Sequence, residues 1–153
     1  MARLADLPEG MASYLSGLAC PVFDTQPWVQ GPELARRRVA LISTAGLHRR
    51  NDRPFASGAA DYRVIPGDVE TGDLVMTHLS QNFDRTGFQQ DWNVAFPLDR
   101  LRELAASGQI GSVADYHYSF MGATSPEHME PVTGELARLL HGDNVDAVLL
   151  VPI

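Results

Sequence analysis

A single cysteine, Cys20, is the chain's whole stock of thiol, so no intramolecular disulfide framework can staple it. Standing next to Pro21, that cysteine reads either as inert packing or as a reactive thiol. No apolar run approaches the roughly 20 residues needed to span a bilayer. The first ten residues, Met1 to Gly10, lack the apolar core of a secretory signal. Basic residues are outnumbered 12 to 19 by acidic ones, a net charge of -7. That balance argues against nucleic acid or an anionic membrane as partner, because both call for a basic face. The expected location is cytoplasmic. Repeats and low-complexity tracts are missing, and so are a Gly-x-Gly-x-x-Gly turn after the first strand, a Walker-type loop and a Gly-x-Ser-x-Gly elbow. No His/Cys pair has structural zinc spacing, and no metal is expected.

What is present is an ordinary globular composition, 44% hydrophobic and 20% charged over 153 residues, enough for one domain with a proper core. The expected organisation is a single α/β domain over residues 1–153, led by a helix and an extended arm within residues 1–37. Leu4, Leu7, Met11, Leu15 and Leu18 form one apolar stripe around Pro8-Glu9-Gly10, and the proline-rich stretch from Cys20 to Trp28 reads as an arm lying across the body.

Val39 to Thr44 is the first strong strand, and Leu47 to Pro54 reads as a polar loop at its C-terminal end. Asp61 to Pro66 suits an edge strand that stops at proline. Leu74 to Leu79 reads as a further strand with His78 at its end. Ser80 to Phe96 shows neither helical nor strand period and reads as a self-packed loop pinned by Phe83, Phe88, Trp92 and Phe96. Pro97 to Gly108 is the clearest helix, with proline in its first turn and glycine at its stop. Tyr116 to Met121 is an aromatic strand, and His117 within it reads as a core or face histidine. Ser125-Pro126-Glu127 starts a helix that Pro131 is expected to break or restart, with Gly142 as stop. The final run, Val145 to Ile153, reads as a buried parallel strand. Strands alternating with helices predict a mostly parallel open sheet with flanking helices, Rossmann-like or flavodoxin-like and incomplete at the C-terminus.

In such sheets ligands bind beyond the carboxyl ends of the strands. His48, Arg49, Arg50 and Arg53 fall there, suited to a carboxylate or phosphate, or else forming a solvated loop. His78, Ser119 and Thr124 lie at or just past other strand ends.

Several segments recur together, and in order, in one known family. They are Arg38 to Leu47, Asp61 to Pro66, Thr77-His78 with Asn82-Phe83-Asp84, Phe96 to Leu104, Ile110-Gly111 and Val145 to Leu149. The chain resembles the selenoprotein B family of the glycine, sarcosine, betaine and D-proline reductases, and looks most like its short D-proline-reductase-like branch. The likeness covers nearly the whole chain. It implies an oxidoreductase that reductively cleaves a C–N bond in an amino acid or its N-methylated derivative. A selenolate or thiolate attacks the carbon bearing the nitrogen.

In that family the strand matching Asp146 to Ile153 leads into a motif holding selenocysteine or cysteine. The expectation is therefore an N-terminal part, truncated at the selenocysteine position and inactive alone. The resemblance places His78, Asn82 and Asp84 beside the site, where His78 either protonates the leaving amine or caps the strand. Arg49, Arg50 and Arg53, with His48 and Ser119, are expected to face the substrate by location alone. A carbonyl cofactor of pyruvoyl type is implied on a partner reductase subunit, with no cofactor in this chain. An amino-acid-type small molecule and a second copy of the chain complete the expected partners. The competing reading is a non-catalytic small-molecule-binding or scaffolding domain related to the reductases.

Overall fold

The computed structural model describes residues 3–18, 22, 24–80 and 85–153. It divides into two compact units, Met1–Gln30 and Gly31–Ile153. In the first, a 3-10 turn at Leu4–Asp6 precedes helix α1 (Glu9–Ser16). Pro8 stands at the N-cap, so the proline starts the helix instead of interrupting it. Residues 24–30 have neither helix nor strand. Cys20, Pro21 and Phe23 lie outside the described residues.

The second unit is built around strand β1 (Arg38–Ser43), whose Val39, Ala40 and Leu41 are buried among the core side chains. The unbroken apolar run Val39-Ala40-Leu41-Ile42 suits a strand covered on both faces. On one side β1 pairs in parallel with β7 (Ala147–Val151), from Val39↔Ala147 to Ser43↔Val151. On the other side it pairs first with β5 (Ser112–Val113) and then with β6 (Tyr116–Ser119), both parallel. Strand β3 (Arg63–Pro66) closes that side antiparallel to β6. Proline ends an edge strand, as the sequence predicts.

Between β5 and β6 the ladder has a gap, and a side chain fills it. The Leu41 amide donates to His117 Nδ1 at 3.0 Å. His117 is fully buried, edge-on to Phe96, and thus is the core histidine expected.

Helix α3 (Leu98–Ala106) lays Leu98 and Leu101 into one core with Val39, Leu41, Phe96 and Trp92. Helix α4 (Pro126–Gly142) packs Leu136, Met129, Val132 and Leu140 against Tyr118 and Phe120. Its end is latched to the strand starts. Arg38 Nε donates to the Asp143 carbonyl at 2.7 Å and Nη2 meets the Asp143 carboxylate at 2.5 Å. The second oxygen of Asp143 accepts the amides of Asp115 and Tyr116.

Five local expectations are corrected. The segment after β1 is not all loop. Gly46, at φ +65°, turns the chain into β2 (Leu47–Arg49). The strand before His78 is short, β4 (Leu74–Met76), and pairs antiparallel with β2 in a separate two-stranded ribbon. The aromatic loop contains helix α2 (Thr86–Gln90) and a 3-10 turn at Trp92–Val94, although Trp92 and Phe96 do pin it to the core. Pro131 neither breaks nor restarts α4. It sits in the second turn, where the one bond it forgoes would reach Glu127, whose position is open to water. Finally, β7 is parallel but not buried. Val148 is 37%, Leu149 39% and Leu150 67% exposed, because no strand pairs its outer edge among the described residues.

Candidate active site at the strand ends

The carboxyl ends of β1, β6 and β7 converge on Gly122. Its amide donates to the Thr44 carbonyl at 2.8 Å. A Cβ at this position would stand 2.4 Å from the Ile153 carbonyl oxygen, 2.8 Å from that of Thr44 and 3.0 Å from His78 Nε2. Only a residue without a side chain lets these groups meet. Thr44 joins the other two strands. Its amide donates to Val151 at 3.1 Å, and its hydroxyl accepts the Ile153 amide at 2.8 Å and lies 3.2 Å from the Ile153 carbonyl as donor.

His78 reaches this point through the ribbon. Thr77 donates its amide to the Gly46 carbonyl at 3.0 Å, and the backbone of His78 lies directly over Gly46. A Cβ on Gly46 would come within 3.0 Å of the His78 nitrogen, so the glycine also makes room for the histidine. The ring is buried, with 3% of the residue exposed. Its Nδ1 accepts the Ser80 amide at 3.2 Å, which leaves the proton of the neutral ring on Nε2, the nitrogen nearest Gly122. Burial, and then the positive charge of Arg85, push the His78 pKa below its ordinary value. Arg85 donates a guanidinium N–H to the His78 carbonyl. At neutral pH the site therefore holds a neutral imidazole with its Nε2–H toward Gly122, a threonine hydroxyl bound to the backbone of Ile153, and an arginine.

The other expected site residues lie elsewhere or are already occupied. Arg49 pairs with Asp73 at 2.8 Å, and Arg50 donates to the Gly72 carbonyl at 2.9 Å. Arg49 stands opposite Leu74, at the end of the ribbon away from His78. It borders a cleft of about 740 Å³ with Asp68, Glu70, Asp73 and Tyr116, three carboxylates against one paired cation. Tyr116 begins β6, whereas Gly122 follows its far end. Arg53 is paired with Asp61. His48 is buried on β2, its Nδ1 donating to the Arg49 carbonyl at 2.7 Å. Ser119 is fully buried and its hydroxyl accepts the Leu47 amide at 2.8 Å, binding the ribbon to the sheet. Ser43 donates to the Ala95 carbonyl at 2.8 Å. Asn82 and Asp84 lie outside the described residues. Among those described, no group of three or more His, Cys, Asp or Glu could hold a metal ion.

Sequence reasoning missed Thr44, Gly122 and Arg85. Gly122 carried a readable signal, a glycine directly after a strand; Thr44 and Arg85 carried none.

The geometry defines an α/β domain whose site lies beyond the carboxyl ends of parallel strands, the customary position in open sheets. The profile of the glycine/sarcosine/betaine reductase selenoprotein B family (GRDB) matches residues 11–152. The chain belongs to that family. It is 37% identical over 121 residues to the D-proline reductase subunit gamma of Acetoanaerobium sticklandii, covering 77% of this chain and 49% of that one. It is 30% identical over 138 residues to the sarcosine reductase complex component B subunit beta of Peptoclostridium acidaminophilum, covering 85% and 31%. The glycine reductase complex component B subunit gamma of Carboxydothermus hydrogenoformans shares 29% identity over 147 residues, covering 90% and 33%. The chain thus spans between about a third and a half of these relatives' lengths. No solved structure matches it. Among the described residues no helix is long and apolar enough to cross a membrane.

Proposed function

We propose that this chain forms the strand-end platform of an amino-acid reductase subunit, one that cleaves a C–N bond reductively with a selenol or thiol nucleophile. The single observation that carries the reading is that His78 Nε2 and the Ile153 carbonyl crowd the space where a Cβ on Gly122 would stand. Membership of the family supplies the chemistry, and that meeting point supplies a place for it. On this reading the nucleophile comes from residues that follow Ile153 in the reading frame. Attack of the selenolate or thiolate on the carbon forms a Se–C or S–C bond and breaks C–N, and the bonding pair leaves with the nitrogen. The departing amine takes up a proton. A thiolate then attacks the selenium or sulfur of the adduct and forms a selenenyl sulfide or disulfide, while the carbon keeps the Se–C or S–C bonding pair, takes a proton and leaves as the reduced product. His78, with Nε2–H at the meeting point, is placed to hydrogen-bond the departing nitrogen or the nucleophile. The carbonyl group that the family implies is assigned to a partner subunit, and no residue of this chain is given to it.

The test is thiol-dependent loss of D-proline, glycine, sarcosine or betaine by the protein isolated with its partner subunits from its native host. Turnover of one of these supports the reading. Binding of an amino acid without turnover, with a nucleophile present after Ile153, would instead favour the non-catalytic domain.

A further inference from the structure

All twelve basic residues of the chain are arginines, and the loop predicted to hold substrate has spent its own. Arg49 and Arg53 are paired with carboxylates, and Arg50 is bonded to a backbone carbonyl. Arg85 differs from them. It is exposed, no carboxylate pairs with it among the described residues, and one N–H anchors it on the carbonyl of His78. A guanidinium has five N–H donors in a rigid plane, so one anchored donor leaves an edge able to receive two oxygens.

We propose that Arg85, held on the His78 carbonyl beside the strand-end cluster, binds the carboxylate of the amino-acid substrate. This rests on the reading of the site as an amino-acid reductase and names its specificity-determining residue. An α-carboxylate clasped by Arg85 would leave the adjacent α-carbon and its nitrogen toward His78, one or two bonds away. The charge of Arg85 already reaches that ring, where it opposes protonation of the imidazole. A bound carboxylate would cancel that opposition, so filling the site makes His78 easier to protonate. Substrate binding and proton donation are thereby coupled through one pair of residues.

Two measurements on the full-length protein with its partner subunits test this. The first is the rate of phenylglyoxal modification of Arg85, read by peptide mass spectrometry with and without saturating D-proline, glycine, sarcosine or betaine. One of these should slow modification of Arg85, while the matching amine without a carboxylate should not. Equal modification rates in all conditions, or equal protection by the amine, would overturn the assignment. The second is turnover by Arg85→Gln and Arg85→Lys. The glutamine variant should raise KM about 10- to 100-fold with a much smaller change in kcat. It should also lose its preference for the carboxylate-bearing molecule, and lysine should restore part of it. An arginine that only clasps the loop would alter neither preference nor protection, and that result would also overturn the proposal. Protection of Arg85 in a protein that turns over none of the four would sink the reductase reading but leave the carboxylate site standing.

Discussion

Thr44 holds the backbone of Ile153 from both sides, its hydroxyl accepting the amide at 2.8 Å and lying 3.2 Å from the carbonyl as donor. The end of β7 is thus fixed to the end of β1 by one side chain where the ladder itself runs out. Thr44→Val keeps the shape and removes both bonds. It should cost about 1–2 kcal/mol in urea unfolding, and Thr44→Ser should recover most of the loss. A valine variant as stable as the parent would mean that the clasp contributes nothing.

Gly122 and Gly134 should respond in opposite directions to the same substitution. Gly122→Ala drives a methyl against two carbonyl oxygens, the nearer at 2.4 Å, and should destabilise by about 1–3 kcal/mol. Gly134→Ala, in the exposed middle of α4 with nothing within 4 Å, should stabilise by about 0.5–1 kcal/mol. Chemical denaturation of the two variants side by side decides it.

Acid should weaken the fold in two steps. Burial holds the His117 pKa down to about 4 from an ordinary 6.5, so the native state binds fewer protons than the unfolded chain between those values. Its contribution is complete above pH 6.5 and is lost as pH falls to about 4, amounting to on the order of 3 kcal/mol. Protonation would also take Nδ1 away from the Leu41 amide. Asp143 acts lower. Burial alone would raise its pKa, but the Arg38 hydrogen bond and the amides of Tyr116 and Asp115 outweigh it and hold the carboxyl below the ordinary range. Its contribution is present above the unfolded value, near 4, and is lost below it. Imidazole NMR should find His117 neutral at pH 5.5; a midpoint near 6.5 would contradict its burial.

Leu41 pairs with Leu149, one rung from Leu150, yet truncating Leu41 and Leu150 should have unlike costs. Leu41→Ala empties a fully buried site and should lose about 2–5 kcal/mol. Leu150, 67% exposed on the outer strand, should lose under about 1 kcal/mol on the same change. Melting temperatures of the two variants give the comparison directly.

That contrast also marks what the sequence could and could not disclose. β1, α3, α4 and the proline-ended β3 were legible because periodicity and caps are local. β7 was legible as a strand but not in its exposure, which depends on what lies beside it and not on Ala-Val-Leu-Leu-Val itself. The ribbon was hidden because the pairing of His48 with Val75 spans residues that share no pattern. The arginines of the loop read as free ligands for an anion, whereas Arg49 finds its partner 24 residues away in Asp73. His78 was legible in position, but the groups around it come from β1, β6 and β7, joined only by the fold.

The most direct test of the account is the effect of His78→Gln on thiol-dependent turnover by the full-length protein with its partner subunits, alongside thermal melting. The variant should lose about 100-fold or more in kcat with its melting temperature nearly unchanged. Turnover at the parental rate in a correctly folded His78→Gln variant would contradict it.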